Sequence, residues 1–309
     1  MADPSIVVMR PHSRLALLAG LCVAGALRSS PAGAQAARTQ ALDAYVETIL
    51  ATHKLPGASI AVVKDGQLVV AKGYGLSNVE ASTRATENTV YQLASVTKPF
   101  TAAAILMLVE DGKLSLDAKV TELLPGLPAA WSPVTVRHLL SHTSGIKSYT
   151  EVFGAQKTPD DKVFTSAGIV ALVADAPLQF TPGARFAYSN TGYYLLGLVI
   201  EKVSGKKYGD FLAERIFTPL GMTSTGLDDY GDARPLRAKG YNAGDGEPKP
   251  APHTHPSQPF AAGALVSTVV DMRASLRRPG DAPARLRDRA RRACADTVRS
   301  LRAGCSRSR

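Results

Sequence analysis

Ser95 and Lys98 stand three residues apart in Leu93-Ala94-Ser95-Val96-Thr97-Lys98, a spacing that brings a hydroxyl and an amine to one face of a helix. A serine hydroxyl becomes a nucleophile only with a base beside it, and a lysine taken out of water can lose its proton and serve. Pro99 is tolerated only near a helix start. The run from Thr101 to Glu110 is dense in helix formers, and Gly112 offers a stop. The spacing therefore predicts a helix with Ser95 in its first turn, close to unpaired N–H groups and the positive end of the dipole. Ser-x-x-Lys by itself is also what an ordinary capped, buried helix would carry.

Tyr188 and Asn190 form the second candidate set, in Tyr188-Ser189-Asn190. A phenol has a reference pKa of about 10 and is a poor base unless a cation lowers that value. Lys98 could be that cation, and the Asn190 amide could orient both the lysine and a substrate amide. The plainer alternative is a half-buried turn tyrosine followed by an asparagine that opens a helix.

Taken together and in this order, the two motifs resemble the serine β-lactamases and penicillin-binding DD-peptidases, nearest the class C-like branch. Supporting segments are Gly112 to Asp117, Val136 to Ile146 (VRHLLSHTSGI), Thr218 to Met222 (TPLGM) and Ala261 to Thr268 (AAGALVST). The resemblance runs from about Leu42 to Met272. It implies an α/β (α+β) fold with an antiparallel sheet flanked by helices, an inserted all-helical domain, and the site in the cleft between them. It also implies Ser95 as nucleophile, Lys98 as its base, Tyr188 as proton shuttle and Asn190 as substrate-amide ligand. The family carries a third motif, Lys-Thr-Gly or His-x-Gly, on a strand beside the nucleophile, and no match follows Tyr188 here. Lys239-Gly240 lacks the middle residue, Lys202 to Gly205 has the wrong spacing, and His142 to Gly145 precedes Tyr188. The C-terminal strands of the sheet are therefore expected to be missing. With them goes one of the two N–H donors that an oxyanion needs, a loss of about 10²–10³ in rate.

The ends of the chain read differently from its middle. Arg10 and Arg14 precede an apolar run from Leu15 to Leu27, and Ala32-Gly33-Ala34 offers small residues for cleavage, so residues 1–34 read as a signal peptide. The apolar run falls short of the roughly 20 residues that span a bilayer. From Arg273 to Arg309 twelve arginines face three aspartates, a net of +9 out of the chain's +10. The export segment carries +2, leaving residues 35–272 at −1. The sequence pI of 9.6 thus belongs to one tail, and the body has no nucleic-acid signature. A basic arm, a divergent helix and an out-of-frame translation after about Met272 all compete for the tail. The last is favoured, since shifted GC-rich text yields Arg and Ala with stray cysteines and no apolar period. Cys294 and Cys305 are the only cysteines beyond the export segment, so no disulfide framework is expected in the body.

Between the ends, Leu42 to Leu50 has helical apolar spacing. Gly57 to Val63 and Leu68 to Ala71 read as strands of a hairpin across Lys64-Asp65-Gly66-Gln67. Helices are predicted over Thr135–Leu140, Ile169–Asp175 and Thr191–Val203, and Gly244 to Pro259 reads as a loop. The expected division is 35–112 for the first part of the α/β domain, 113–260 for the mainly helical domain, 261–272 for the return to the α/β domain, and 273–309 for the disordered tail. His138 and His142 read as packing and hydrogen-bonding residues, and His253 and His255 as solvated rather than metal-binding. The whole predicts a periplasmic or secreted serine hydrolase acting through an acyl-enzyme on a lactam, a D-amino-acid peptide or an ester. No metal, organic cofactor, nucleic acid or stable membrane span is expected; the oligomeric state is left open. One rival is a penicillin- or peptidoglycan-binding protein of the same fold without turnover. A more distant rival is a nucleic-acid or membrane-surface module using the tail.

Overall fold

The Asp65-Gly66 pair turns the first hairpin, because both residues adopt the left-handed conformation (φ 51° and 77°) that a two-residue loop with matching strand twist requires. The chain is a computed structural model that describes residues 31–228, 236–242 and 247–275. The export and tail expectations fall largely on residues outside these. Two units divide the chain, 1–42 and 43–309. The described part of the first is the opening of helix α1 (Pro31–Thr52).

The second unit continues α1 and enters the hairpin of β1 (Gly57–Lys64) and β2 (Gln67–Asn78). Their antiparallel register pairs Lys64 with Gln67 and Gly57 with Gly75, with a bulge at Val62/Val63. β3 (Thr83–Arg84) joins the far side of β2. Among the described residues β1 has no strand on its other edge. A second small sheet has the order β4 (Tyr91–Gln92), β8 (Leu265–Ser267), β5 (Gly226–Leu227). It ties the approach to Ser95 to the end of the described chain. The mixed architecture with antiparallel sheets agrees with the expected fold class.

Helices fill the interval: α2 (Thr97–Glu110), α3 (Val120–Leu123), α4 (Val136–Leu140), α5 (Tyr149–Gln156), α6 (Ser166–Ala174), α7 (Asn190–Ser204), α8 (Tyr208–Leu212) and α9 (Thr218–Leu220). α10 (Val269–Ser275) follows β8. α7 is the hub. Thr191 to Gly197, Val199 and Ile200 are all buried, which is how a helix apolar on most of its circumference must sit. Ile105 and Leu108 of α2, Leu139 of α4, Leu195, Leu196 and Ile200 of α7, and Leu212 of α8 have no exposed surface and form one continuous core.

One local expectation needs correction. The Gly244–Pro259 segment contains strand β7 (Lys249–Pro250), paired with β6 (Tyr241–Asn242). His253 and His255 are both partly exposed, and each has a hydrogen-bonding partner. His255 Nδ1 lies 2.8 Å from Ser257 Oγ. His253 Nε2 lies 2.8 Å from Asp228 Oδ2, in a cluster where Arg237 grips both Asp228 oxygens at 2.6 Å.

Candidate active site

The Ser95 segment departs from a plain helix start. Ser95 lies in a short 3-10 turn, Ala94–Val96, that runs directly into α2, so the α-helix begins two residues later than the sequence predicts. Ala94 has φ 45°, a left-handed conformation that costs a residue with a Cβ about 1–3 kcal/mol and persists only where surroundings enforce it. The enforcement is visible on both sides. The Leu93 N–H donates to Leu265 O at 2.8 Å, and the Leu265 N–H donates to Thr97 Oγ1 at 3.1 Å. The threonine that could have capped α2 is spent on β8 instead. Ser95 is left exposed and Lys98, one turn on, is 5% exposed.

Lys98 Nζ has three neighbours within hydrogen-bond distance: Ser95 Oγ at 3.1 Å, Asn190 Oδ1 at 2.9 Å and Ala262 O at 2.7 Å. The amine also sits 4.8 Å from the Tyr188 ring centre and 5.7 Å from that of Tyr193. Burial holds the lysine's pKa below its ordinary value, and the interaction with Tyr188 partly opposes this. Tyr188 OH donates to Ser95 Oγ at 2.7 Å. The four residues that the sequence singled out are thus brought together: Lys98 and Tyr188 meet Ser95 Oγ, and Asn190 meets Lys98 Nζ.

Asn190 is the first residue of α7, because Ser189 caps that helix by accepting the Gly192 N–H. The asparagine's orientation is fixed from both ends. Its Oδ1 faces Lys98, its Nδ2 donates to Thr150 Oγ1 at 3.2 Å, and its N–H donates to Ser148 Oγ at 3.1 Å. Behind Tyr188 lies His142, whose ring stacks on the phenol at 4.5 Å and 27°. Gly145 lets this loop close: its φ is 75°, and a Cβ there would lie 2.4 Å from Phe180 O. His138 works as expected, exchanging a capping box with Thr135 at the start of α4.

Sequence reasoning missed Ala262, Thr150 and Ser148. A backbone carbonyl carries no side-chain signal, and the two hydroxyl residues announce nothing until α7 is laid beside them. Nothing like the missing third motif stands beside Ser95 among the described residues. Lys239 instead pairs with Glu80 and bonds Ser77 O through its N–H. Among the same residues no group of three or more His, Cys, Asp or Glu is gathered to hold a metal, and no helix is long and apolar enough to cross a membrane.

Known proteins share this arrangement of segments. The family model described as Beta-lactamase matches residues 42–305, past the Met272 where recognisable motifs end. Penicillin-binding protein 4* of Bacillus subtilis (strain 168) is 37% identical over 186 residues, which is 60% of this chain and 40% of that protein. The octameric penicillin-binding protein homologue from Pyrococcus abyssi superposes with a TM-score of 0.68 at 38% identity, covering 77% of this chain and 55% of that one. A class C beta lactamase superposes with a TM-score of 0.69 at 26% identity, covering 82% of this chain and 68% of that one. The chain spans about 40% of the length of the curated relatives it matches. The chain belongs to the beta-lactamase family, within the superfamily of serine β-lactamases and penicillin-binding proteins.

Proposed function

We propose that this chain is an exported serine hydrolase in which Ser95 attacks the carbonyl of a lactam, a D-amino-acid peptide or an ester and holds the acyl group covalently. The observation that carries the reading is the convergence of Lys98 Nζ and Tyr188 OH on Ser95 Oγ at 3.1 and 2.7 Å. Asn190 Oδ1 and Ala262 O are pure acceptors and claim two N–H bonds of the lysine. The third position on Nζ faces a hydroxyl, which can accept from an ammonium or donate to a lone pair. Burial favours the neutral amine, and a neutral amine so held aims its lone pair at the serine proton.

In acylation the Ser95 Oγ–carbonyl bond forms and the bond from that carbonyl to the leaving nitrogen or oxygen breaks. The serine proton passes to the Lys98–Tyr188 pair and leaves through the Tyr188 hydroxyl to the departing group. In deacylation the same pair takes a proton from water, which attacks the acyl carbonyl and restores Ser95. The two groups titrate as a unit, so the base is the pair. Asn190 keeps one Nδ2 hydrogen on Thr150 and has a second for a substrate carbonyl.

A second reading, acylation with little turnover, is favoured by the lack of a Lys-Thr-Gly or His-x-Gly strand beside Ser95 among the described residues. The Ser95 N–H then serves the oxyanion without its partner, and turnover should lie about 10²–10³ below that of a relative with both donors. Incubating the purified chain with a fluorescent penicillin and with a chromogenic ester tests both readings. Covalent label that Ser95→Ala abolishes is expected. Label surviving in Ser95→Ala would remove the nucleophile, and fast hydrolysis would show that another N–H completes the oxyanion hole.

A further inference from the structure

His142 touches three successive residues, Ala187 to Ser189, that lead into and form most of the Tyr-x-Asn segment, each by a different means. Its backbone carbonyl accepts the Ala187 N–H at 2.8 Å. Its ring stacks on Tyr188 with centres 4.5 Å apart and planes 27° apart. Its Nδ1 accepts the Ser189 N–H at 3.1 Å. Phe186 meets the ring edge-on at 5.6 Å, and Tyr193 of α7 lies against it at 5.0 Å. The residue is itself held at φ 57°, a left-handed conformation that histidine and asparagine enter more readily than most side chains. A packing histidine needs only the ring contacts. One that also accepts a backbone N–H from the residue between Tyr188 and Asn190 fixes where the phenol hydroxyl points.

We infer that His142 is a positioning residue for the Tyr188 hydroxyl, and that it acts only as the neutral ring protonated at Nε2. The inference rests on the acyl-transfer reading of Tyr188 given above. A proton on Nδ1 would face the Ser189 N–H, donor against donor, and break the link that sets the segment. The titratable groups brought to the ring are Lys98 from α2, Tyr188 from the segment itself and Tyr193 from α7, while Arg137 and His138 precede it in its own segment. Burial, helped by Lys98 whenever that amine is protonated, holds the His142 pKa below its ordinary value, so the ring stays neutral at neutral pH, and the Ser189 N–H on Nδ1 selects the Nε2 tautomer. Acidification should therefore release the Tyr188 hydroxyl from its position and switch off acylation through His142, with Ser95 and Lys98 left where they are.

Two variants separate the ring from the acceptor. His142→Asn keeps an acceptor near the Nδ1 position and tolerates the left-handed backbone, but loses the stack. His142→Phe keeps the stack and loses the acceptor. Saturating rates of Ser95 labelling by a fluorescent penicillin should fall about 10- to 100-fold in each, with little change in the half-saturating concentration. The acid limb of the parent's pH profile, lying below 6.5, should vanish in His142→Asn. Parental rates and an unchanged acid limb in both variants would overturn the inference.

A readout independent of activity distinguishes this failure from failure of the hydrolase reading. Nitrogen-15 NMR of the histidine rings, with His142 assigned by its loss in His142→Asn, should show an Nε2-protonated neutral ring. Tyr188 ring signals should shift in step with its titration. If no labelling occurs in the parent, the hydrolase reading falls. The positioning statement then stands if the tyrosine follows the histidine and falls if it does not. An Nδ1-protonated neutral ring overturns it in either case.

Discussion

Replacing Tyr188 by phenylalanine isolates one oxygen atom. The ring contact with His142 at 4.5 Å is kept, and such a pair contributes about 0.5–1.5 kcal/mol beyond its area. What is lost is the donor to Ser95 Oγ at 2.7 Å. Tyr188 is 47% exposed, so water can take the place of the phenol, and the stability change should be about 1 kcal/mol or less. For a body of this size that moves Tm by about 2–4 °C at most. The effect on chemistry should be far larger, because a positioned acid–base group contributes about 10²–10⁴ in rate, or about 2.7–5.5 kcal/mol of barrier. Thermal unfolding together with the rate of Ser95 acylation by an activated ester tests the two halves separately. A Tyr188→Phe chain that melts with the parent and acylates within about threefold of it would remove Tyr188 from the machinery. One that acylates slowly because it has unfolded would show that the phenol is structural.

Asp228 has no exposed side-chain surface and satisfies both Arg237, gripped at 2.6 Å through each oxygen, and His253. Asp228→Ala should cost about 2–4 kcal/mol, because it strands a largely buried guanidinium, 16% exposed; urea unfolding reads this directly, and a loss below about 1 kcal/mol would mean that water replaces the carboxylate. Burial lowers the pKa of both His138 and His142, so each binds fewer protons folded than unfolded at pH values just under 6.5. Stability should fall as pH drops below 6.5 and stop falling on their account once pH lies beneath both folded values. Urea midpoints at pH 7 and pH 5 should differ in that direction, and His138→Asn with His142→Asn should shrink the difference.

The catalytic candidates were legible because Ser-x-x-Lys and Tyr-x-Asn are carried by side chains at fixed short spacings. The hairpin was legible because Lys64-Asp65-Gly66-Gln67 separates two β-rich runs. The helix over Asn190–Ser204 was legible because its apolar residues leave no polar face. Illegible were the partners that fix the chemistry in place. Ala262 contributes a carbonyl from 164 residues away, and Asp228, Arg237 and His253 meet only after loops of unremarkable composition fold back. His253 keeps part of its surface in water, as its proline and polar neighbours suggest, but its buried partner Asp228 could not be read from them. The left-handed Ala94 could not be read either, since alanine is the residue least suggestive of such a turn.

The fastenings of α2 also set an order of events during folding. Lys98 to Ala262, Thr101 to Ala261 and Leu265 to Thr97 join positions 164, 160 and 168 residues apart. Closing a flexible loop of that length costs about 4–5 kcal/mol of chain entropy before any contact repays it, so these links form late. Until residues 261–265 have docked against α2, Lys98 has no Ala262 carbonyl to hold it and no wall to exclude water. The amine stays solvated and protonated, and Ser95 is an ordinary alcohol. On the proposed reading, a chain not yet closed around β8 carries Ser95 unarmed, and that strand acts as the latch that arms it.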